Sequence, residues 1–139
     1  MSVNGSLVKG VDFVMVATND FDRAVDFYGN VLGLENSARY GRMPGAEFET
    51  GTLTLAVVES QAFGMEYRTS THPIALHVDD VEAARAELES RGVEFRADTI
   101  DSGVCHMAFF TDPDGNALML HHRYAPKAER GGDAAPGGG

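Results

Sequence analysis

The histidines are the residues of this sequence best suited to chemistry, because an imidazole can exchange a proton near neutral pH or bind a metal ion. Alternation along a strand puts His77 on the side of Ala75, and His121 on the side of Met119. Each histidine therefore shares one strand face with apolar residues. There it can act as an acid or base at a ligand site, or simply fill a hydrogen-bonding position in a core.

Other catalytic chemistries have little support in the sequence. Cys105 is the only cysteine, and the adjacent His106 points to the opposite face if both lie in one strand. Serine nucleophile elbows, phosphate-binding glycine loops and dinucleotide fingerprints are absent. A single cysteine cannot close an intramolecular disulfide, so we expect a cytoplasmic protein.

The charge balance excludes two classes of partner. Eleven basic residues stand against 21 acidic ones in 139 residues, a net charge of -10. Such an acidic chain repels phosphate backbones and anionic membranes, so we expect no nucleic acid and no membrane partner. The composition is that of a folded chain. We predict a single domain at residues 11–124, a flexible start at 1–10 and a disordered tail at 125–139, which holds nothing large and apolar to bury.

An internal repeat organises the folded part. Each half has an apolar strand, then an amphipathic helix. Asn19 or Asp20 is suited to the first N-cap and Asp80 to the second, and Gly33 and Gly92 are suited to the positions just after the helices. The copies are offset by about 60 residues. Both modules, at about residues 11–60 and 72–124, therefore read β-α-β-β-β. Three strands are predicted after each helix, at residues 35–40, 46–49 and 53–58, and at 94–100, 104–111 and 117–122.

Two motifs carry a resemblance to a known family. Residues 20–28 (DFDRAVDFY) followed by VLGL at 31–34, and DPDGN at 112–116, are similar to motifs of the vicinal oxygen chelate superfamily. That superfamily includes glyoxalase I, bleomycin-resistance proteins and extradiol dioxygenases. The resemblance implies an α+β fold in which two paired βαβββ modules form a curved, partly open mixed sheet around a cavity. It also implies a homodimer.

The resemblance also locates the family's metal-binding positions, which in this sequence are Phe13, Ala56, Pro73 and Met119. Phenylalanine, alanine and proline side chains offer no donor atom, and a thioether is a poor ligand for hard divalent ions. We therefore expect no metal at the usual site and no cofactor. The alternative is a divalent metal displaced onto His77 and His121, which the family topology brings to neighbouring strands.

Alternation within the implied cavity predicts its lining. We expect the lining to be apolar and rich in sulfur, with His77 and His121 as polar points. The predicted ligand-binding residues are Phe13, Met15, Tyr40, Phe48, Ala56, Val58, Ala75, Met107, Phe109 and Met119.

Two functions are compatible with this lining. The first is a metal-free binding protein, similar to the bleomycin-resistance branch and so linked to antibiotic resistance, that sequesters an aromatic or cationic small molecule. The second is a glyoxalase-type lyase or isomerase, or a dioxygenase-like enzyme, in which His77 and His121 are catalytic at a displaced metal or acid-base site.

Overall fold

The structure is a computed structural model that describes residues 5–126. The disordered tail predicted at 125–139 therefore falls almost entirely outside the described residues, which exclude 1–4 and 127–139, and the flexible start predicted at 1–10 falls partly outside them. The chain divides into two compact units, Met1–Arg68 and Thr69–Gly139. This boundary lies between the two predicted modules, and the α+β fold class is confirmed in each unit. Pairing of the modules around a cavity stays a prediction.

The first unit is a four-stranded mixed sheet with one short helix against it. Its elements are β1 (Phe13–Thr18), α1 (Phe21–Asp26), β2 (Glu35–Arg39), β3 (Gly45–Glu49) and β4 (Thr54–Glu59). The sheet order is β1-β4-β3-β2, with β1 parallel to β4 and the other pairs antiparallel.

The predicted ends of the first helix are confirmed. The side chain of Asp20 accepts a hydrogen bond from the backbone N–H of Arg23 at 3.2 Å, which satisfies one of the free donors of the first turn. After α1 the chain widens into a π-helical turn over Phe27–Val31, and Gly33 follows with a positive φ of 76°.

One face of this sheet is covered by the helix. Phe48 and Leu55 are fully buried, and the ring of Tyr28 lies 6.0 Å from that of Phe48. A buried core on one face leaves the opposite face of β1, β3 and β4 available for other contacts. The helix-side core consists of Val16, Ala24, Phe27, Tyr28, Ala46, Phe48, Leu55 and Val57.

The second unit repeats this plan. Its elements are β5 (Ile74–His77), α2 (Val81–Ser90), β6 (Ile100–Asp101), β7 (Cys105–Thr111) and β8 (Ala117–Arg123). The sheet order is β5-β8-β7-β6, with β5 parallel to β8. Asp80 caps α2 by accepting from the N–H of Ala83 at 3.0 Å, and Gly92 follows with a φ of 94°, so both predicted ends are confirmed.

The strand predicted at residues 94–100 is wrong for most of its length. Only an isolated bridge between Phe95 and Phe110 and the two-residue strand β6 remain of it. The guanidinium of Arg85 lies over the ring of Phe95 and donates to the hydroxyl of Thr99. Side-chain contacts with α2 therefore hold a segment that makes few strand hydrogen bonds.

The DPDGN motif forms the tight turn between β7 and β8, as predicted. Asp112 is buried, and its carboxylate accepts from the backbone N–H of Asp114 and of Asn116, each at 2.9 Å. The amide of Asn116 donates to the same carboxylate, and its oxygen accepts from the N–H of Ser70. The turn thereby also holds the segment that leads into β5.

No helix within residues 5–126 combines the length and the hydropathy that crossing a membrane requires.

Candidate functional site

The first sheet has an open face opposite the helix, and its strand register places apolar and acidic side chains side by side. Met15 and Glu47 both pair with Ala56, so they lie on the two strands that flank it. Phe13 and Met15 are 51% and 48% exposed, although both are large and apolar. Ala56 lies between these longer side chains and is only 1% exposed, so its neighbours cover it.

A tyrosine holds the Glu47 carboxylate of this face in place. The hydroxyl of Tyr40 donates to Oε2 of Glu47 at 2.6 Å, and the Tyr40 ring packs edge-on against Phe63 at 6.2 Å. Burial and the neighbouring Glu47 carboxylate raise the pKa of Tyr40 to about 12. The phenol therefore stays protonated at neutral pH and keeps its hydrogen bond to the carboxylate.

A second carboxylate lies on the same face of β3. Glu49 accepts from the hydroxyls of Ser37 and Thr54, at 2.5 and 2.7 Å. These two hydrogen bonds lower the pKa of Glu49, because they stabilise its charged form. In the described part of the chain, no basic side chain forms an ion pair with Glu47 or Glu49. Residues 5–126 therefore place no counter-ion beside the negative charge of this face.

The prediction that Phe48 shares this face with Ala56 is wrong. Phe48 pairs with Leu55 and packs on the helix side, because successive residues of a strand alternate between faces. Its neighbours Glu47 and Glu49 take the open face instead, and sequence reasoning did not select them. Their alternation with Ala46 and Phe48 was the signal that could have found them. The other predicted residues of this unit, Phe13, Met15, Tyr40, Ala56 and Val58, lie on the open face.

The second sheet also has an open face on the side away from its buried leucines. Leu118 and Leu120 are buried together with Phe110. The alternate residues of these strands form the other face, and they are partly exposed. The register places Ala75, Met107, Phe109 and Met119 on this face, together with His77 and His121.

The two histidines that sequence analysis selected are brought together. His77 of β5 pairs directly with His121 of β8, and Nε2 of His77 lies 3.5 Å from Oδ1 of Asp79. Partial burial and the positive charges of His77, His122 and Arg123 lower the pKa of His121. Its imidazole is therefore neutral at pH 7 and can accept a proton.

The donor set at the family's metal positions does not fit a divalent ion. The register places Phe13, Ala56 and Met119 on the open faces, and neither they nor Pro73 offers a hard oxygen or a nitrogen donor. Within residues 5–126, no three His, Cys, Asp or Glu side chains form a group that could hold a metal ion. The pair of His77 and His121 thus falls short of the three protein ligands usual in catalytic zinc sites.

A family model agrees with this architecture over most of the chain. The model described as the glyoxalase/bleomycin resistance protein/dioxygenase superfamily matches residues 10–120. The chain belongs to this superfamily. The matched range contains the open face of the first sheet and part of that of the second, including His77, and it ends one residue before His121.

Individual members of the superfamily show how broad the likeness is. A lactoylglutathione lyase of Haemophilus influenzae is 27% identical over 84% of this chain and 95% of its own. An uncharacterised protein of Escherichia coli, YaeR, is 28% identical over 84% of this chain and 98% of its own. The crystal structure of TnmS3, an antibiotic-binding protein from Streptomyces sp. CB03234, has a TM-score of 0.71 at 24% identity, covering 85% of this chain and 98% of that one. This last likeness shows the fold alone.

Proposed function

We propose that this protein binds an aromatic or cationic small molecule, without a metal ion, on the open face of its first sheet. The observation that carries the proposal is the row formed by Met15, Ala56 and Glu47 beside the exposed Phe13. Exposed large apolar side chains next to a carboxylate that forms no ion pair with the described residues are unusual on a surface with no partner. They provide an apolar support and an anchoring charge for one ligand.

The dimensions of the row suit a small organic molecule. Met15 and Glu47 lie two strand spacings apart, which is about 10 Å. A two- or three-ring ligand can therefore span the side chains that cover Ala56, with an apolar end at Met15 and a protonated nitrogen at Glu47. A charge-assisted hydrogen bond of this kind contributes about 1.5–3 kcal/mol, and an aromatic contact with Phe13 about 0.5–1.5 kcal/mol.

Three further observations support a binding role. The donors at the family's metal positions do not fit a hard divalent ion, so binding here has to rely on apolar contact and hydrogen bonds. TnmS3, which shares the fold, is described as an antibiotic-binding protein. The methionine side chain at position 15 is flexible enough to follow ligands of irregular shape.

Isothermal titration with two flat three-ring probes of opposite charge tests the proposal. 9-Aminoacridine is a cation at neutral pH, and anthracene-9-carboxylate is an anion of similar shape. We expect saturable binding of the cation and much weaker binding of the anion, because Glu47 and Glu49 attract one and repel the other. If neither probe and no member of a wider aromatic panel binds saturably, the proposed function is wrong.

A pair of matched variants shows whether Glu47 is the anchor. We expect Glu47→Gln to weaken 9-aminoacridine binding by about ten- to a hundredfold, the equivalent of one charge-assisted hydrogen bond. Glu87→Gln removes the same charge from an exposed position on α2, where Glu87 pairs with Arg91, and should leave the affinity unchanged. Equal losses in both variants would contradict a local role for Glu47.

The oligomeric state is inferred from the family resemblance, and the cellular compartment from the presence of a single cysteine. We propose a homodimer in the cytoplasm. Light scattering at micromolar concentration tests the dimer, and a monomeric mass would contradict it.

A second candidate function is supported by the position of His121. A neutral imidazole paired with His77 can take a proton from carbon next to a carbonyl group, as a glyoxalase-type lyase or isomerase requires. The lactoylglutathione lyase of H. influenzae is a relative that favours this candidate. Formation or cleavage of lactoylglutathione by the purified protein, lost in His121→Gln, would support an enzyme. No turnover with the wild-type protein would leave only the binding role.

A further inference from the structure

On the basis of the function proposed above, on which this step rests, we propose that the ligand carries two cationic groups about 7 Å apart, one bound by Glu47 and the other by Glu49. The ligand class is then a flat aromatic body with two basic groups along one edge. Two features of the open face favour it. The same types of side chain occur in two neighbouring rows, and aromatic rings close the row beyond them.

The two rows across the open face match each other position by position. Each has a large apolar side chain on β1, a small residue on β4 and a glutamate on β3. The first row is Met15, Ala56 and Glu47, and the second row is Phe13, Thr54 and Glu49. Since neighbours on one face of a strand are two residues apart, the two glutamates are spaced by about 7 Å along β3. A ligand on the first row therefore reaches the second carboxylate with a short extension.

The next row in the opposite direction is closed. Gly45 is its residue on β3 and pairs with Val58 on β4. A Cβ built at Gly45 would collide with the ring of Tyr40 and would lie 3.2 Å from Cζ of Phe63, so both rings lie over this glycine. Gly45 and Val58 are buried beneath them. A ligand anchored in the first row can therefore extend along β3 only toward the second row, where Phe13 is half exposed.

Glu49 is held in place by hydroxyl groups. Ser37 and Thr54 donate to its two carboxylate oxygens at 2.5 and 2.7 Å, which lowers the pKa of Glu49 and keeps the group charged at neutral pH. Each oxygen retains a further lone pair for an N–H of a ligand. Within residues 5–126, no lysine or arginine forms an ion pair with Glu49. The arginine of β2, Arg39, lies instead over the ring of Phe21 at 5.4 Å.

Two carboxylates fixed at this spacing favour a ligand with two positive charges over a ligand with one. Once Glu47 has bound the first cationic group, the second contact is intramolecular and adds affinity without a further loss of translational freedom. A single metal ion matches the pair less well, because the described part of the chain provides no third His, Cys, Asp or Glu to complete a metal site. Since Glu49 is partly exposed, we expect its contact to increase affinity by about three- to tenfold.

Calorimetric titration with two matched acridines at physiological ionic strength tests the second contact. 9-(4-Aminobutylamino)acridine has a charged ring and a terminal ammonium, and 9-(pentylamino)acridine has a methyl group in place of that ammonium. We expect the dication to bind about three- to tenfold more tightly to the wild-type protein, and the two compounds to bind about equally to Glu49→Gln. Glu87→Gln removes the same charge from an exposed position on α2 and should keep the wild-type preference. Equal affinities for the wild-type protein, or a preference that persists in Glu49→Gln, would overturn the proposal.

The same titrations distinguish a failure of this step from a failure of the proposed function. Saturable binding of 9-aminoacridine that Glu47→Gln weakens, without any preference for the dication, would contradict only the second cationic group. Absence of saturable binding for all three acridines would contradict the proposed function together with this ligand class. A preference for the dication that Glu49→Gln abolishes, in variants that circular dichroism shows to be folded, would support both.

Discussion

Gly45 is the position where a single methyl group should disturb the candidate site most. A Cβ built there lies 2.3 Å from Cδ2 and 2.9 Å from Cε2 of Tyr40, and 3.2 Å from Cζ of Phe63. The two Tyr40 atoms are closer than real Cβ contacts allow, so Gly45→Ala has to push the Tyr40 ring away. The hydroxyl of Tyr40 then leaves Glu47, whose oxygen it contacts at 2.6 Å.

Two interactions of the Tyr40 side chain set the cost of this displacement. The hydrogen bond to the Glu47 carboxylate is worth about 1.5–3 kcal/mol, and the packing of Tyr40 on Phe63 about 0.5–1.5 kcal/mol. Replacing glycine by alanine within a strand by itself raises the free energy of unfolding by about 0.5–1 kcal/mol. We therefore expect Gly45→Ala to lower the free energy of unfolding by about 1–4 kcal/mol.

Urea unfolding and an alkaline titration of tyrosine absorbance measure the two consequences. We expect lower stability and a fall in the pKa of Tyr40 from about 12 toward its ordinary value of 10. Tyr40→Ala removes the obstructing ring, so Gly45→Ala made in that background should cost almost nothing. A Gly45→Ala protein with wild-type stability and an unchanged Tyr40 pKa would refute the reasoning, as would equal costs in both backgrounds.

Three further predictions test the fold and the same tyrosine. Phe48→Ala should lower the free energy of unfolding by about 3–5 kcal/mol, whereas Phe13→Ala should lower it by under about 1 kcal/mol because Phe13 is half exposed. Similar losses in the two variants, measured by urea unfolding, would contradict the assignment of these residues to opposite faces. Asp112→Ala removes three hydrogen bonds of a buried turn and should cost about 2–4 kcal/mol in the same assay, while a loss within error of zero would show that the turn holds without them. Folding raises the pKa of Tyr40, so this group contributes about 1–2 kcal/mol to the free energy of unfolding below pH 10, and that contribution is lost as the pH rises toward about 12. The alkaline loss of stability should be smaller in Tyr40→Phe. Identical pH profiles of stability in the two proteins would count against this prediction.

The features that follow from local rules could be predicted from the sequence. The N-caps at Asp20 and Asp80 and the glycines that follow each helix depend on hydrogen bonds and backbone angles within a few residues. The DPDGN turn is local in the same sense. The repeat of these signals therefore indicated the β-α-β-β-β order of each unit.

The face that a strand presents depends on distant residues, and prediction was less successful there. In β3 the alternation of Phe48 with Glu47 and Glu49 shows two faces, but only the position of the helix decides which one is buried. Sequence analysis assigns the apolar residue to the ligand, whereas helix packing takes Phe48 and leaves the carboxylates open. Similarly, the loss of most of the strand at 94–100 depends on contacts of Arg85 on α2.

The pairing of His77 with His121 is the part of the candidate site where the alternation of residues along the strands and the family topology agreed with the structure. Alternation assigned the face of each histidine, and the family resemblance supplied the neighbouring strands. The lowered pKa of His121 was beyond sequence reasoning, because it depends on burial and on the positions of His122 and Arg123.

The central claim, that a ligand binds on the open face of the first sheet, is tested most directly by NMR of methyl-labelled methionine. The chain has six methionines, and Met15 reports on the row beside Ala56 and Glu47. During titration with 9-aminoacridine we predict a saturable shift of the Met15 methyl signal, which Met15→Leu assigns, and a midpoint at about ten- to a hundredfold higher concentration in Glu47→Gln. A Met15 signal that stays in place at saturating probe, or a midpoint that Glu47→Gln leaves unchanged, would contradict the claim.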